Sequence, residues 1–72
     1  NPAQETVNVD LSDYNSGEYT IGIYDMSGKL LKNIISVATQ IFLDISDLPN
    51  AQYLVSVLNS GKFIGSKVLV KN

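Results

Sequence analysis

The sequence predicts an all-β fold, a small antiparallel β-sandwich of six or seven strands built from two similar halves. Three observations carry this expectation. Apolar residues recur at every second position along most of the chain, the period of a strand with one buried face. Ser-Gly pairs break the pattern in NSGE (15–18), MSGK (26–29) and NSGK (59–62). The stretch DLSDYNSGEYTIGI (10–23) returns 34 residues later as DISDLPNAQYLVSV (44–57).

In chain order, Val7, Val9 and Leu11 alternate with Asn8 and Asp10, which predicts a first strand. Tyr19, Ile21 and Ile23 alternate with Thr20, Gly22 and Tyr24 in a second. The run LLKNII, from Leu30 to Ile35, is the one ambiguous segment; it is too short for a stable helix and follows a turn, so it is read as a strand. Ile41, Leu43 and Ile45 alternate with Phe42 and Asp44, and Tyr53, Val55 and Val57 repeat the pattern. In the last strand Ile64, Ser66, Val68 and Val70 are assigned to one face, with Lys67 and Lys71 on the opposite, outward face. Glycine tolerates positive φ, so Asp25-Met26-Ser27-Gly28 and Leu58-Asn59-Ser60-Gly61 both suit hairpins of one type, a type I turn closed by a left-handed glycine and a bulge.

The repeat aligns Asp10, Ser12, Asp13 and Tyr19 with Asp44, Ser46, Asp47 and Tyr53, and Leu11, Ile21 and Ile23 with Ile45, Val55 and Val57. Ser27-Gly28-Lys29 matches Ser60-Gly61-Lys62 after a one-residue deletion. One supersecondary unit is therefore used twice, and two copies close a core that neither closes alone. Between its first two strands each unit has a corner, where Ser and Asp side chains bond nearby backbone N–H groups. Leu48-Pro49 to Tyr53 has the spacing of a tyrosine corner, in which a mostly buried ring returns its hydroxyl to the backbone upstream.

Composition limits what such a domain does. Seventy-two residues make one domain, 1–72, which buries only about 60% of its unfolded surface and is expected to be stable by roughly 3–5 kcal/mol. The absence of cysteine removes disulfides and thiolate zinc sites, and leaves the redox compartment unread. No apolar run approaches the roughly 20 residues that span a bilayer as a helix. The opening NPAQET has the look of a segment excised from a larger secreted protein. A net charge of −2 with thinly spread lysines gives no footprint for nucleic acid.

No chemical constellation emerges, and the expected set of catalytic, cofactor and metal residues is empty. Asp10/Asp13 and Asp44/Asp47 fit turn capping better than acid–base or calcium chemistry. Without histidine or cysteine, a nucleophile and base would have to be Ser and Lys, and no S-x-x-K on a helix exists. Tyr19 and Tyr53 are claimed by the core, and no tryptophan joins Tyr14 and Tyr24 in a sugar-stacking platform. No small-molecule substrate is implied. On physics alone, the lysines of the last strand read as edge-strand gatekeepers more readily than as recognition residues.

NPA at the start, IYDMSGKLLKN in the middle and LDISDLPNAQYLVSVLNSGKFIGSKVLVKN to the last residue together resemble the type A C-terminal sorting domain of the type IX (Por) secretion system of Gram-negative bacteria. Asn1-Pro2 would end the family's Pro-Asn-Pro opening. Asp25, Gly28 and Lys29 match its central hairpin, Asp44, Leu48, Pro49 and Tyr53 its corner, and Gly61 and Lys67 its final hairpin. The chain departs at Ala51, where the family usually has glycine; Gly17 fills the equivalent place in the first half. The resemblance implies a sorting signal and no enzyme, although the parent cargo may itself be one. It implies an N-terminal cargo domain, transit of the periplasm, recognition by the outer-membrane translocon, removal by a sortase-like protease, and delivery to the outer membrane, cell surface or medium. Lipopolysaccharide is the anchor it suggests for cargo that stays. The expected recognition surface is Gly61, Lys62, Lys67, Val68, Leu69, Val70 and Lys71. The alternative is a structural or adhesive immunoglobulin-like module of an extracellular protein, against which stand the short length and the missing core tryptophan.

Overall fold

A computed structural model describes residues 5–14 and 16–72, so Asn1-Pro2 and Asn15 lie outside the described residues. The fold is all-β, with six strands among the described residues: β1 (Thr6–Asp10), β2 (Tyr19–Asp25), β3 (Leu30–Ser36), β4 (Gln40–Asp44), β5 (Ala51–Asn59) and β6 (Lys62–Lys71). LLKNII is strand, as its length and setting require. β1 and β4 form a two-stranded sheet, and the other four strands form a second sheet in the order β3-β2-β5-β6, every pair antiparallel.

The repeat is written into the register. Asn8 faces Phe42 at the middle of the β1/β4 ladder, and Gly22 faces Ser56 at the middle of β2/β5. Both pairs are separated by the 34 residues that separate the repeats, so each ladder is symmetric about its centre. The ladder ends obey the same rule: Leu11 N–H donates to Thr39 O at 2.6 Å, and Ile45 N–H to Glu5 O at 2.8 Å. A pseudo-two-fold relation thus exchanges β1, β2 and β3 with β4, β5 and β6.

The core is what the alternation requires. Leu11, Tyr19, Ile21, Ile23, Ile41, Leu43, Ile45, Tyr53, Val55 and Val57 are buried, with Val7, Val9, Leu31, Ile34, Ile64 and Leu69 among the side chains packed against them. Both halves contribute equivalent residues, and neither has an apolar face wide enough to be stable without the other.

The two hairpins differ, contrary to the expectation of one type. In β2/β3, Asp25 N–H donates to Lys29 O and Gly28 N–H to Asp25 O, both at 3.0 Å, and Gly28 has φ 94°. That is the expected type I turn with a left-handed glycine. In β5/β6, Asn59 pairs directly with Lys62, and both loop residues are left-handed, Ser60 with φ 50° and Gly61 with φ 83°. This is a two-residue type I′ loop, whose twist matches that of the strands, and it accounts for the one-residue deletion.

Beyond each turn the ladder carries a bulge. Ile23 and Tyr24 pair with Lys32 and Leu30, leaving Leu31 without an opposite residue; Val57 and Leu58 pair with Gly65 and Phe63, leaving Ile64 so. A bulge inserts one residue and resets which face follows. After Ile64, the residues opposite the inward Val57, Val55 and Tyr53 are Gly65, Lys67 and Leu69. The assignment of faces in the last strand is therefore reversed: Lys67 and Lys71 share the face of the core, while Ser66, Val68 and Val70 point outward. Ala51 has no positive φ, so this corner position needs no glycine; Gly17, at φ 132°, does.

Candidate functional site on the terminal strand and its corner

The corner between β4 and β5 is held by side chains from three directions. Asp44 Oδ1 accepts from Ser46 N–H at 3.0 Å and from Ser46 Oγ at 2.7 Å, and Leu48 N–H donates to Ile45 O at 3.0 Å. The first half repeats the pattern, with Ser12 N–H donating to Asp10 Oδ1 and Tyr14 N–H to Leu11 O, each at 3.0 Å. Tyr53, 3% exposed, donates its hydroxyl to Pro49 O, which completes the tyrosine corner. Lys32 reaches from β3 to donate to Asp44 O at 3.0 Å and to pair with Asp47 at 2.7 Å. Asp47 is thus an ion-pair partner of Lys32.

Lys71 is the largest departure from the sequence reading. Expected on the surface as part of an outward row with Lys62 and Lys67, it is 8% exposed. Its ammonium donates to Ile45 O at 2.7 Å, Leu48 O at 2.6 Å and Ser46 O at 3.3 Å. An ammonium has three N–H donors, and each here has a carbonyl to receive it. The last strand is fastened to the corner by its final residue, and Lys71 is a structural cation with no face to offer a partner. The reset of alternation at Ile64 is the cause, because it turns Lys71 toward the corner.

The rest of the expected surface divides in the same way. Leu69 packs against the core from within. Val68 and Val70 are 51% and 39% exposed on the outer face, Lys62 and Gly61 are exposed at the hairpin, and Lys67 is exposed although it shares the inner face. Lys67 remains open because β6 is an edge strand beside a gap, lined by residues of β1 and β6, that the two-stranded sheet does not close. The sequence held one signal for this arrangement, Gly65 within a strand, since an isolated strand glycine often marks a bulge.

Asp10, Asp25 and Asp44 serve turns. Hydrogen bonds from Ser46 N–H and its hydroxyl hold the Asp44 carboxyl below the ordinary carboxylate value, as those from the Ser27 hydroxyl and Lys29 N–H do for Asp25 and that from Ser12 N–H does for Asp10. For Asp47 the cause is the hydrogen bond from Lys32. A carboxylate that accepts several local donors is a capping group.

A strand latched at its end, a tyrosine corner and two unequal hairpins are features of structure. Comparison with protein families gives the family: the model of the secretion system C-terminal sorting domain matches residues 1–71. The chain belongs to the family of type IX secretion C-terminal sorting domains. No curated protein matches the chain. The sorting-domain family is a signal family, not a catalytic one. Membership means attachment to a cargo protein, interaction with the type IX machinery, and export to the cell surface or medium.

Proposed function

We propose that this sorting domain is read as a folded object by the type IX translocon after its cargo has reached the periplasm, and is then removed by a sortase-like protease. The match over residues 1–71 carries the reading, and the fold supports it, because the described chemistry is spent on turns and closure. Gly61, Lys62, Lys67, Val68 and Val70 form the proposed contact surface, while Leu69 and Lys71 keep the strand in place. Cargo joined to lipopolysaccharide after cleavage would remain at the surface; otherwise it would enter the medium.

The test is a fusion. Residues 1–72, placed at the C-terminus of a periplasm-directed fluorescent protein in a host with the matching secretion system, should carry the reporter to the surface or medium. Removal of Phe63 to Asn72 should strand it in the periplasm. If the intact fusion stays there while the host's own cargo is exported, the domain is a structural module.

A further inference from the structure

The pseudo-two-fold relation makes the two flanks of the sandwich comparable, and they are finished differently. On one flank Lys32 ties edge strand β3 to Asp44 O and Asp47. On the other flank the tie among the described residues is at the strand end, where Lys71 of β6 donates to Ile45 O, Ser46 O and Leu48 O, and the rest of the edge is left unfastened. There the ten-residue edge strand β6 faces β1 across an open groove lined by Val7, Val9, Val55, Val57 and Ile64. Tyr14, 49% exposed, also lines it. Lys67 stands in this groove opposite Val55, and its ammonium has no hydrogen bond or ion pair with any described residue.

We propose that the groove is a strand-accepting site, filled by an extended segment of the secretion machinery that pairs with the free edge of β6 and brings an Asp or Glu to Lys67. The proposal rests on the sorting-signal reading above and adds the place, the binding mode and the chemistry of the partner. An edge strand presents unpaired N–H and C=O groups, which supply affinity when a strand is added, while side-chain pockets supply selectivity. The apolar lining accepts alternate apolar side chains. A cation covered by an added strand without a counter-charge is costly, so Lys67 selects for a carboxylate and against neutral or basic strands. The same residue argues against a second copy as occupant: β6, KFIGSKVLVK, has three lysines and no carboxylate, so two β6 edges would set like charges together.

The experiment uses the exported reporter fusion. Lys67→Gln removes the charge, Lys67→Glu reverses it and Lys67→Arg keeps it, while Asn33→Glu adds a negative charge on the opposite edge strand. Each chain is also purified and its thermal melt recorded. The expected result is wild-type export for Asn33→Glu, at least half for Lys67→Arg, and a loss of tenfold or more for Lys67→Glu, with Lys67→Gln between and melting like the wild type. A benzophenone amino acid at Tyr14 should crosslink to a translocon polypeptide through a peptide containing Asp or Glu, and this product should vanish in Lys67→Glu. The same probe at Phe63, on the outer face, should not give it. Export of Lys67→Glu and Lys67→Gln at the wild-type rate overturns the proposal, as does a crosslink from Phe63 alone or a product of two fusion chains. Failure of the wild-type fusion to leave the periplasm instead sinks the sorting reading beneath it.

Discussion

Lys67 and Lys71 lie four residues apart on the same strand and the same face, yet only one holds the fold together. Lys71 is buried with three carbonyl acceptors, so Lys71→Met leaves those carbonyls without their cation and should lose about 2–3 kcal/mol. Lys67→Gln removes an exposed, unpaired ammonium and should stay within about 0.5 kcal/mol. Urea denaturation of both variants checks the contrast, and equal shifts would contradict it. The carboxylates give a pH signature. Asp10, Asp25, Asp44 and Asp47 have folded values depressed from an ordinary 3.8, so their contribution is present above that value and is lost as pH falls below it through the depressed folded values. The melting temperature should hold from pH 7 to about pH 5 and drop below about pH 4. Asp25→Asn and Asp44→Asn should each flatten that drop.

At the scale of elements, the hairpins decide what the sequence pattern left open. Period two located five of the strands, length and a preceding turn gave β3, and the inward set named for β1, β2, β4 and β5 is the observed core with Val7 and Val9 packed against it, because in those strands nothing interrupts the alternation. It failed in β6, where Ile64, Val68 and Val70 suggested one apolar face and the bulge at Ile64 divides them between two. Hydrophobicity cannot report a bulge, since the extra residue changes the phase and not the composition; Gly65 was the clue. The second turn was misread for a related reason, as Ser-Gly suits both a type I turn with a left-handed glycine and a type I′ loop, and only the register separates them. Ser60, at φ 50°, is the one described non-glycine residue with positive φ. Ser60→Asn creates the Asn-Gly pair that type I′ loops prefer and should raise stability by about 0.5–1 kcal/mol, read by the same denaturation. A loss of similar size would mean that the Ser60 hydroxyl has a role of its own.

For the whole molecule, the repeat was the most legible feature, and it is realised as two ladders symmetric about Asn8–Phe42 and Gly22–Ser56. What broke the symmetry was not legible, because it depends on long side chains meeting distant carbonyls: Lys32 closes one flank, Lys71 fastens the corner, and the β6 flank stays open. Under the proposed function, the signal is this folded shape and not a linear stretch of the last strand. Tyr53 allows that claim to be tested without touching β6. Tyr53→Phe forfeits one hydrogen bond, about 0.5–1.5 kcal/mol, and should leave the domain folded; Tyr53→Ala empties a core site at about 3–5 kcal/mol, enough to unfold so small a domain. The decisive measurement is the exported fraction of the reporter carrying each variant, with β6 unchanged in both. Near wild-type export is expected for Tyr53→Phe and reporter retained in the periplasm for Tyr53→Ala, whereas export of Tyr53→Ala at the wild-type rate, with the purified domain shown to be unfolded, would overturn the folded-signal reading.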